Sequence, residues 1–460
     1  MKAFVVPEPR VATLRALNYA PAIERIRRGR SRSSQTLREI VKAFGPAYGT
    51  VFTRKDCDVE YGIELLSQTD MFAAEPRGRV IRRDSMPEPH KHLIRRGDVL
   101  IAGAGTLGES ELFGRAVIAD GRLADKYVGP DSMTLIFASP DDDYSLFAYA
   151  WLASPTGVQA IRATSYGTKL LRFRTELLET MPIPEAPAAM VARIATLVRR
   201  CSSEREAWLA EVQTARALMN AHPGLASTPS HGRTAVRAIV WSGGLPSLCA
   251  WNYLAGTPDV LRALKRAWKA RVSDYLDSSG PVHHGGRLTR IPCLPPHGVD
   301  FLSQRDVFMA RQVPQRIAVP KNADWVFAKT GQLLMAADGQ VTSGSLFGRI
   351  ELADGGFVGA AITEHIMRLN PARGCGDALA AWLSTDVGQA LTRSTATGTS
   401  VPKARVDLLL DLPAPEPSSR IVGQAAAAMR RSVAHRVAAN EAEAEAIRLV
   451  EEEVLPRWLA

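Results

Sequence analysis

The sequence predicts a mixed α/β protein that contains two tandem domains of similar fold and two long helices. Three observations predict this fold class. The second half repeats motifs of the first, each half contains short apolar runs typical of strands, and each half ends in a long segment with heptad spacing. The chain has 460 residues, of which 46% are apolar and 23% are charged. Such a length and composition suit a globular protein of about two to four domains.

Six short motifs of the first half return in the same order in the second half, displaced by 231 to 236 residues. The pairs are Leu14-x-Ala16-x-Asn18-Tyr19 with Leu248-x-Ala250-x-Asn252-Tyr253, Leu66-Ser67-Gln68-x-Asp70-x-Phe72 with Leu302-Ser303-Gln304-x-Asp306-x-Phe308, Leu112-Phe113-Gly114-Arg115 with Leu346-Phe347-Gly348-Arg349, Ala150-Trp151-Leu152 with Ala381-Trp382-Leu383, Gly167-Thr168 with Gly398-Thr399, and Pro182-x-Pro184 with Pro413-x-Pro415. A displacement this long indicates two copies of a whole domain rather than a solenoid of short repeats. The alternative is a duplication whose copies now perform unrelated functions.

Each copy has the same predicted plan. Short strands such as Val99–Ala102 and Leu333–Ala336 come first, a Pro-x-Pro element ends the globular part, and a long helix follows. A segment rich in Pro, Gly and Ser then separates the two copies. The predicted boundaries are 1–186 for the first domain, 187–222 for the first long helix, 223–235 for the linker, 236–416 for the second domain and 417–458 for the second long helix.

Apolar residues recur at steps of three and four along both long segments, which is the spacing of a coiled coil. The predicted seam residues are Val191, Ile194, Val198, Trp208 and Val212 in the first helix and Met429, Val433 and Ile447 in the second. Arg205 interrupts the first seam, and Asn440 lies on the second. We expect the two helices to pack on each other or on the helices of a partner. The alternative is that each helix lies only on its own domain.

Basic residues with hydroxyl and glycine neighbours are the candidates for contacts with a polyanion, which the net charge of +10 permits. The loop at residues 164–169 leads into two arginines, and its repeat at 395–400 leads into a lysine and an arginine. Hydroxyl groups, glycine backbone and cations together suit contacts with phosphates and base edges. Two basic runs, at 25–32 and 262–271, add further candidates or are solvated surface charges. The predicted DNA-binding residues are Arg30, Arg32, Thr168, Lys169, Arg172, Arg174, Lys265, Lys269, Thr399, Ser400, Lys403 and Arg405.

The segment Gly103-Ala104-Gly105-Thr106-Leu107-Gly108 has the spacing of a dinucleotide-binding loop. The residues after it do not predict a helix, no acidic residue follows at the required distance, and the second copy lacks the glycine pattern. These features favour a turn between two strands. An enzyme that binds a nucleotide at this loop remains an alternative.

The sequence does not predict a catalytic centre, a metal site or a cofactor in this chain. The five cysteines are scattered without a Cys-x-x-Cys pair, which is typical of a reducing cytoplasm. Cys293 lies near His283, His284 and His297, but the spacing fits no standard zinc site. No stretch of 18 or more apolar residues predicts a membrane span.

The combined pattern resembles the specificity subunit of type I restriction–modification enzymes. Each copy has a Gly-Thr loop, then a pair of leucines, then Pro-x-Pro and a long helix. The segments are Gly167-Thr168, Leu177-Leu178 and Pro182-Ile183-Pro184 in the first copy, and Gly398-Thr399-Ser400-Val401-Pro402, Leu408-Leu409 and Pro413-Ala414-Pro415 in the second. The Gln-rich helix start that is usual in the family is missing after Pro184 and weak in the second copy, which suits a divergent relative such as a phage-defence methylation system.

This resemblance implies two target-recognition domains, each of which binds one half of a split double-stranded DNA site. It further implies that the two long helices form an antiparallel coiled coil with pseudo-two-fold symmetry. A helix of about 32 residues is roughly 48 Å long and would separate the two half-sites by more than one turn of DNA. The implied partners are two DNA adenine methyltransferase subunits, which carry the S-adenosylmethionine, and a restriction or other defence subunit. A nucleic-acid-binding adaptor without methyltransferase partners is the alternative.

Overall fold

The computed structural model describes residues 23–26, 35–45, 52–108, 111–226, 247, 249–253, 256–294, 296–342 and 344–460. The first Leu-x-Ala-x-Asn-Tyr motif, most of the linker, Arg30 and Arg32 lie outside these residues. The described chain forms two compact units. The first unit contains the residues up to Glu206 together with Ala438–Ala460, and the second contains Ala207–Val437.

The first unit contains three small sheets in its described residues. Its strands are β1 (Val41–Gly45), β2 (Gly62–Leu66), β3 (Arg79–Arg82), β4 (Val99–Ala102), β5 (Ala104–Gly105), β6 (Ala116–Ile118), β7 (Tyr127–Val128), β8 (Ser132–Phe137), β9 (Ser165–Tyr166) and β10 (Leu171–Phe173). The strand orders are β1-β8-β4-β6, β3-β2-β7 and β5-β10-β9. All neighbouring strands are antiparallel except β2 and β7.

The second unit repeats this arrangement. Its strands are β11 (Val282–His284), β12 (Ile291–Pro292), β13 (Val299–Leu302), β14 (Gln315–Ala318), β15 (Leu333–Ala336), β16 (Ile350–Leu352), β17 (Ala361–Ile362), β18 (Ile366–Leu369), β19 (Ala396–Thr397) and β20 (Lys403–Ala404). The strand orders are β11-β18-β15-β16, β12-β14-β13-β17 and β19-β20. Strands β13 and β17 form the parallel pair, as β2 and β7 do in the first unit.

The cross-strand register also repeats. In the first unit Val99 pairs with Ile118 and with Leu135, and in the second unit Leu333 pairs with Leu352 and with Leu369. Because strand register decides which side chains face the core, equal registers mean that the two domains bury equivalent positions. This agreement confirms the predicted fold class of two tandem mixed α/β domains of similar fold.

Short helices complete each domain. The helices of the first are Leu37–Ile40, Asp143–Ala153, Pro155–Ala163 and Thr175–Glu179, with 3-10 turns at Val59–Tyr61, Asp70–Phe72, Arg83–Ser85 and Pro89–Lys91. The helices of the second unit, apart from the long ones, are Pro223–Ala226, Thr257–Ala267, Gln304–Val307, Gly376–Ser384, Asp386–Arg393 and Val406–Leu410, with 3-10 turns at Ala250–Tyr253, Val272–Tyr275, Asp324–Val326 and Gly355–Phe357. None of the helices in the described part of the chain is long and apolar enough to cross a bilayer.

Two consecutive helices form a corner in each domain, at Asp143–Ala153 with Pro155–Ala163 and at Gly376–Ser384 with Asp386–Arg393. Ser154 caps the second helix of the corner, since its Oγ accepts a hydrogen bond from the Gly157 amide at 3.0 Å. Thr385 does the same for Gly388, also at 3.0 Å. A Cβ atom at Gly157 would stand 1.9 Å from the Trp151 carbonyl oxygen, so only glycine fits there. Trp151 and Trp382, at the centre of the repeated Ala-Trp-Leu motif, are both buried. Each domain therefore fills the same place in its core with a tryptophan, which explains why the motif recurs.

The Pro-x-Pro element closes each domain by forming a short bridge. Pro182 pairs antiparallel with Thr36, and Pro413 pairs with Arg271. Backbone bonds flank both bridges, from the Leu37 amide to the Met181 carbonyl at 3.0 Å and, in the second unit, from the Val272 amide to the Leu412 carbonyl at 2.9 Å. The motif therefore holds the chain entering the domain against the chain leaving it.

Two long helices follow the domains, at Ala188–Asn220 and Arg420–Leu449. We call them the first and second long helix. A π-helical turn, Val450–Val454, and a last short helix, Leu455–Leu459, extend the second. Pro456 lies in the first turn of this last helix, where its missing N–H is not required.

In the first unit, the start of the first long helix packs antiparallel against the end of the second. Arg193 pairs with Glu445 at 3.3 Å, and Arg205 pairs with Glu443 at 2.7 Å. Between these pairs, buried Cys201 packs with alanines of the second helix. Rising numbers on one helix meet falling numbers on the other, as expected for an antiparallel pair.

In the second unit, the end of the first long helix and the start of the second are joined by an ion pair. Both guanidinium contacts of Arg431 with the Glu211 carboxylate measure 2.8 Å. Each long helix also contacts the domain that precedes it. Glu206 accepts a hydrogen bond from the Gly121 amide at 2.7 Å, and Val437 packs on the equivalent Gly355. The two arrangements weighed from the sequence, helix on helix and helix on domain, thus coexist.

The eight predicted seam residues are all at most 9% exposed. Arg205, which interrupts the apolar spacing, lies inside the seam rather than outside it. Its side chain is 5% exposed and that of Glu443 is 4% exposed. The Tyr149 hydroxyl, from the domain, also donates a hydrogen bond to Glu443, at 2.5 Å. Burial, followed by the charge of Glu443, raises the pKa of Tyr149 well above its usual value, so the hydroxyl keeps its proton and donates.

Candidate nucleic-acid interface

A short hairpin, built from β9 and β10, presents the predicted Gly-Thr loop of the first unit. Arg172 pairs with Tyr166, and Phe173 pairs with Ser165. Residues 166–170 are exposed, whereas Leu171 and Phe173 are buried and anchor the hairpin in the core. We call residues 164–174 the first hairpin.

The equivalent hairpin of the second unit is built from β19 and β20, where Thr397 pairs with Lys403. Residues 398–401 are exposed, and Ala396 and Ala404 are buried. We call residues 395–405 the second hairpin. Its closing bond, from the Arg405 amide to the Thr395 carbonyl at 3.0 Å, matches that from the Arg174 amide to the Thr164 carbonyl at 2.9 Å.

The two hairpins turn at glycines with the same backbone conformation. Gly167 and Gly398 both have a φ of +96°. This left-handed region is unfavourable for residues with a Cβ atom, which explains the glycine in both copies. The same turn geometry presents the following hydroxyl residue, Thr168 or Thr399, in the same way.

A glutamine of the Leu-Ser-Gln motif forms hydrogen bonds with the segment that pairs with each hairpin. In the first unit the Gln68 side chain donates to the Ala104 carbonyl at 3.0 Å and accepts from the Ala104 amide at 3.2 Å. Ala104 belongs to β5, which pairs with β10 of the hairpin. In the second unit Gln304 donates to the Asp338 carbonyl at 2.9 Å, and Asp338 forms a bridge with Lys403. The motif recurs because it fixes the strand on which the hairpin rests.

Serine and aspartate of the same motif shape the turn that carries the glutamine. The Asp70 carboxylate accepts from the Ser67 amide at 2.8 Å, and Asp306 accepts from the Ser303 amide at 2.9 Å. The second Leu-x-Ala-x-Asn-Tyr motif supports the hairpin from the other side, since the Asn252 amide group donates to the Ala396 carbonyl at 2.9 Å.

The predicted DNA-binding residues of the first hairpin share one exposed surface. Thr168 and Lys169 are exposed at its tip, and Arg172 and Arg174 are partly exposed along its sides. The Arg172 guanidinium lies 3.7 Å from the Asp131 carboxylate, with side-chain exposures of 34% and 45%. The Arg174 guanidinium lies 5.9 Å from the centre of the exposed Tyr166 ring. An ion pair this exposed contributes little stability, so a phosphate can compete for the arginine.

The second hairpin likewise gathers Thr399, Ser400, Lys403 and Arg405. The Lys403 ammonium lies 3.0 Å from the Asp338 carboxylate, and His365 contacts the same carboxylate at 2.8 Å. Arg405 forms an ion pair with Asp407, whose hydrogen bond raises the pKa of the arginine, so its charge is permanent.

The acidic partner of the hairpin cation changes position between the copies. Position 131 carries the acid in the first unit, whereas its equivalent in the second is His365 and the acid has moved to Asp338. In both units the cation on the side of the hairpin therefore has an acidic neighbour. The sequence of the hairpins does not predict these acids, because Asp131 and Asp338 lie in other segments of the chain. Strand pairing is what brings them next to the hairpins.

Two predicted DNA-binding residues of the second unit lie outside the second hairpin. Lys265 is in the helix Thr257–Ala267 and pairs with Asp411 at 2.5 Å, and Lys269 follows that helix and is exposed. Arg30 and Arg32 lie outside the described residues. The structure therefore brings eight of the twelve predicted residues together, four on each hairpin.

The glycine-rich segment at Gly103 is a turn between strands. It joins β4 to β5, and β6 then pairs antiparallel with β4. A dinucleotide site requires a helix after the glycines, and no described helix begins there. Gly105 instead pairs with Leu171, so the segment belongs to the same sheet as the first hairpin.

The cysteine and histidines around Cys293 do not converge in the described chain. The His283 imidazole contacts the Trp325 carbonyl at 3.0 Å, and the Cys293 thiol lies 3.6 Å from the Ile291 carbonyl. Among the described residues no group of three potential metal ligands is found.

No family model matches this chain, and no curated protein is similar to it in sequence. Two solved structures to which it is similar are S subunits of type I restriction–modification systems, the family that its motifs resemble. The S subunit from M. genitalium is 11% identical with a TM-score of 0.33, over 92% of this chain and 95% of that one. The HsdS subunit from Thermoanaerobacter tengcongensis is 15% identical with a TM-score of 0.26, over 92% and 95%.

A third structure, which concerns complex assembly and conformational transition of the type I R-M system, is 14% identical with a TM-score of 0.27, over 92% of this chain and 96% of that one.

Proposed function

We propose that this chain is a sequence-specific DNA-recognition subunit of a restriction–modification or methylation-based defence complex. Each domain binds one half of a bipartite double-stranded site through its own hairpin. The chain has no catalytic role of its own and recruits DNA methyltransferase subunits, which bring S-adenosylmethionine and the methyl transfer.

The observation that carries the proposal is the duplication of the hairpin with its supports. Both hairpins turn at a glycine with φ of +96°, expose a threonine next to it and place two cations beside it. A glutamine fixes the strand below each one. Exposed hydroxyls position a protein on phosphates or base edges, and lysine and arginine supply the electrostatic attraction. Two such surfaces in one chain predict two separate segments of DNA contact.

The hydrogen-bonding groups of the hairpins suit direct readout. Arginine and lysine contact guanine in the major groove, and serine and threonine contact several bases. The residue after the shared threonine is Lys169 in one hairpin and Ser400 in the other. Since the two hairpins differ at this position, we expect the two half-sites to differ in sequence.

Selection of duplexes from a randomised DNA pool by the full-length chain tests this function. We expect a bipartite target with an unread spacer, and an affinity that falls steeply with salt because counterions are released. Alanine at Lys169 should weaken binding and lower the slope of log affinity against log salt by about one if it contacts a phosphate. A matched alanine at Lys42, which is exposed on β1 of the same unit and is not a predicted DNA-binding residue, should leave affinity, salt slope and selected sequence unchanged.

Affinity purification of the tagged chain from its native cell separates the proposed recruitment from the alternative of an independent adaptor. A methyltransferase that co-purifies in a stoichiometric amount, and methylates the selected duplex with S-adenosylmethionine, supports recruitment. If the chain selects no sequence and binds every duplex equally, the proposed function is wrong.

A further inference from the structure

The tip of each hairpin carries an exposed aliphatic side chain among polar and cationic neighbours. Leu170 is 57% exposed and Val401 is 56% exposed. Both residues stand three positions after the glycine with φ of +96°. The aliphatic side chain is thus presented twice, by the same turn and to nearly the same extent.

The aliphatic character is kept although the neighbouring residues differ. Lys169 before Leu170 corresponds to Ser400 before Val401, and Tyr166 on the first hairpin corresponds to Thr397 on the second. A single exposed apolar residue is common on protein surfaces and needs no explanation. Two at equivalent hairpin tips, each beside cations and hydroxyls, indicate a shared contact.

The exposure does not result from a loosely packed hairpin. The residue after Leu170, Leu171, is 2% exposed, and the residue after Val401, Pro402, is buried and accepts a hydrogen bond from the Gly339 amide at 3.0 Å. The residue that follows each aliphatic side chain is thus anchored, whereas the aliphatic side chain itself stays exposed. The tip is therefore held in place by the core.

We propose, on the basis of the function proposed above, that Leu170 and Val401 are specificity-determining residues that each contact the 5-methyl group of a thymine in the major groove. Among the groups that bases present in this groove, the thymine methyl is the apolar one. The flanking cations, Arg172 and Arg174 in one hairpin and Lys403 and Arg405 in the other, suit the phosphates on either side of that base. Each half-site should therefore require one thymine, at equivalent positions.

Deoxyuridine substitution tests the proposal because it removes only the methyl group. The selected duplex is prepared with each thymine in turn replaced by deoxyuridine, and the dissociation constant of the full-length chain is measured. One replacement in each half-site should weaken binding about fourfold, as expected for the loss of one buried methyl. L170A should abolish this sensitivity in one half-site, and V401A should abolish it in the other.

V358A is the matched control, since Val358 is 42% exposed and lies outside the hairpin. It should leave the deoxyuridine profile unchanged. If the wild-type chain selects a bipartite site but no deoxyuridine replacement changes its affinity, or if L170A and V401A keep the wild-type profile, the proposal is wrong while the proposed function stands. If the wild-type chain selects no site, the proposed function itself has failed.

Discussion

The buried pair between Arg205 and Glu443 allows a sharp test of how the two long helices are held in register. The proposed changes are R205M and E443L, alone and together. In the first unit these side chains join the start of one long helix to the end of the other, and the Tyr149 hydroxyl adds a third group. A slip of the helices by one turn would separate all three groups.

The expected magnitude follows from burial. With side chains 5% and 4% exposed, neither charge can be solvated once its partner is removed. Each single change should therefore cost about 3–5 kcal/mol of stability. E443L should cost more than R205M by about 1 kcal/mol, because it also removes the acceptor of Tyr149. The double variant, which replaces both charges by apolar groups, should recover most of this loss and lie only about 1 kcal/mol below the wild type, because Tyr149 still lacks its acceptor.

Hydrogen exchange measured by mass spectrometry on peptides from 188–206 and 438–449 is the suitable assay, together with urea unfolding followed by circular dichroism. The local measurement is needed because a chain with two compact units need not unfold in one step. The control is the pair of Arg431 and Glu211, which also joins the two helices but has side-chain exposures of 55% and 22%. Its removal should change exchange little.

The reasoning would be refuted if the two single changes were as mild as removal of the exposed control pair. It would also be refuted if the double variant lost the sum of the two single losses, because the charges would then not be coupled.

Three further predictions concern the hairpins and the first domain. G167A should reduce both the stability of the hairpin and the affinity for DNA. The φ of +96° disfavours a side chain there, and the new Cβ would lie only 2.5 Å from the Leu170 carbonyl oxygen. G398A should reduce both quantities less, because the nearest atom to its Cβ is 3.6 Å away. Q68A removes two hydrogen bonds to β5 and should weaken DNA binding while costing about 1–2 kcal/mol of stability, measured by urea unfolding. Burial raises the pKa of Asp98 to about 6, so the protonated form is favoured by folding, and stability should fall as pH rises from about 4 to 6 and stay lower above it.

The D98N variant should lack that pH dependence and be more stable than the wild type at pH 7. The second domain has a neutral side chain, Gln332, at the equivalent position. Gln332 accepts a hydrogen bond from the Lys329 amide at 2.8 Å, as Asp98 accepts one from the Arg95 amide. Equal pH profiles for D98N and wild type would contradict the burial argument. For Gly167 and Gln68, unchanged DNA affinity in a stable, folded variant would mean that the hairpin is not the contact surface.

The duplication could be read from the sequence because each repeated motif is demanded by local geometry. The glycine at position 157 has no room for a Cβ, and the glycines at 167 and 398 require a left-handed backbone. The Gln of the Leu-Ser-Gln motif must reach a particular strand. Such requirements constrain single residues, so they survive when the surrounding sequence changes.

Contacts made over a long sequence separation could not be predicted in the same way. The burial of Arg205 depends on Glu443, 238 positions further on, and the heptad pattern shows only that a cation interrupts an apolar seam. The acid beside the hairpin cation likewise changed from position 131 to position 338. In both cases the charge balance of a site is maintained by residues that are remote in the chain, and the spacing within one segment carries no trace of them.

Exchange of one hairpin tip tests the central claim, that the two domains are twins which each bind their own half of the target, most directly. The sequence Tyr166–Leu170 would be replaced by that of Thr397–Val401, which has the same length and the same glycine conformation. DNA selected by this variant should differ from the wild-type target in one half only. The sequence of that half should be more similar to the sequence of the other half. A target that changes in both halves, or in neither, would contradict the claim.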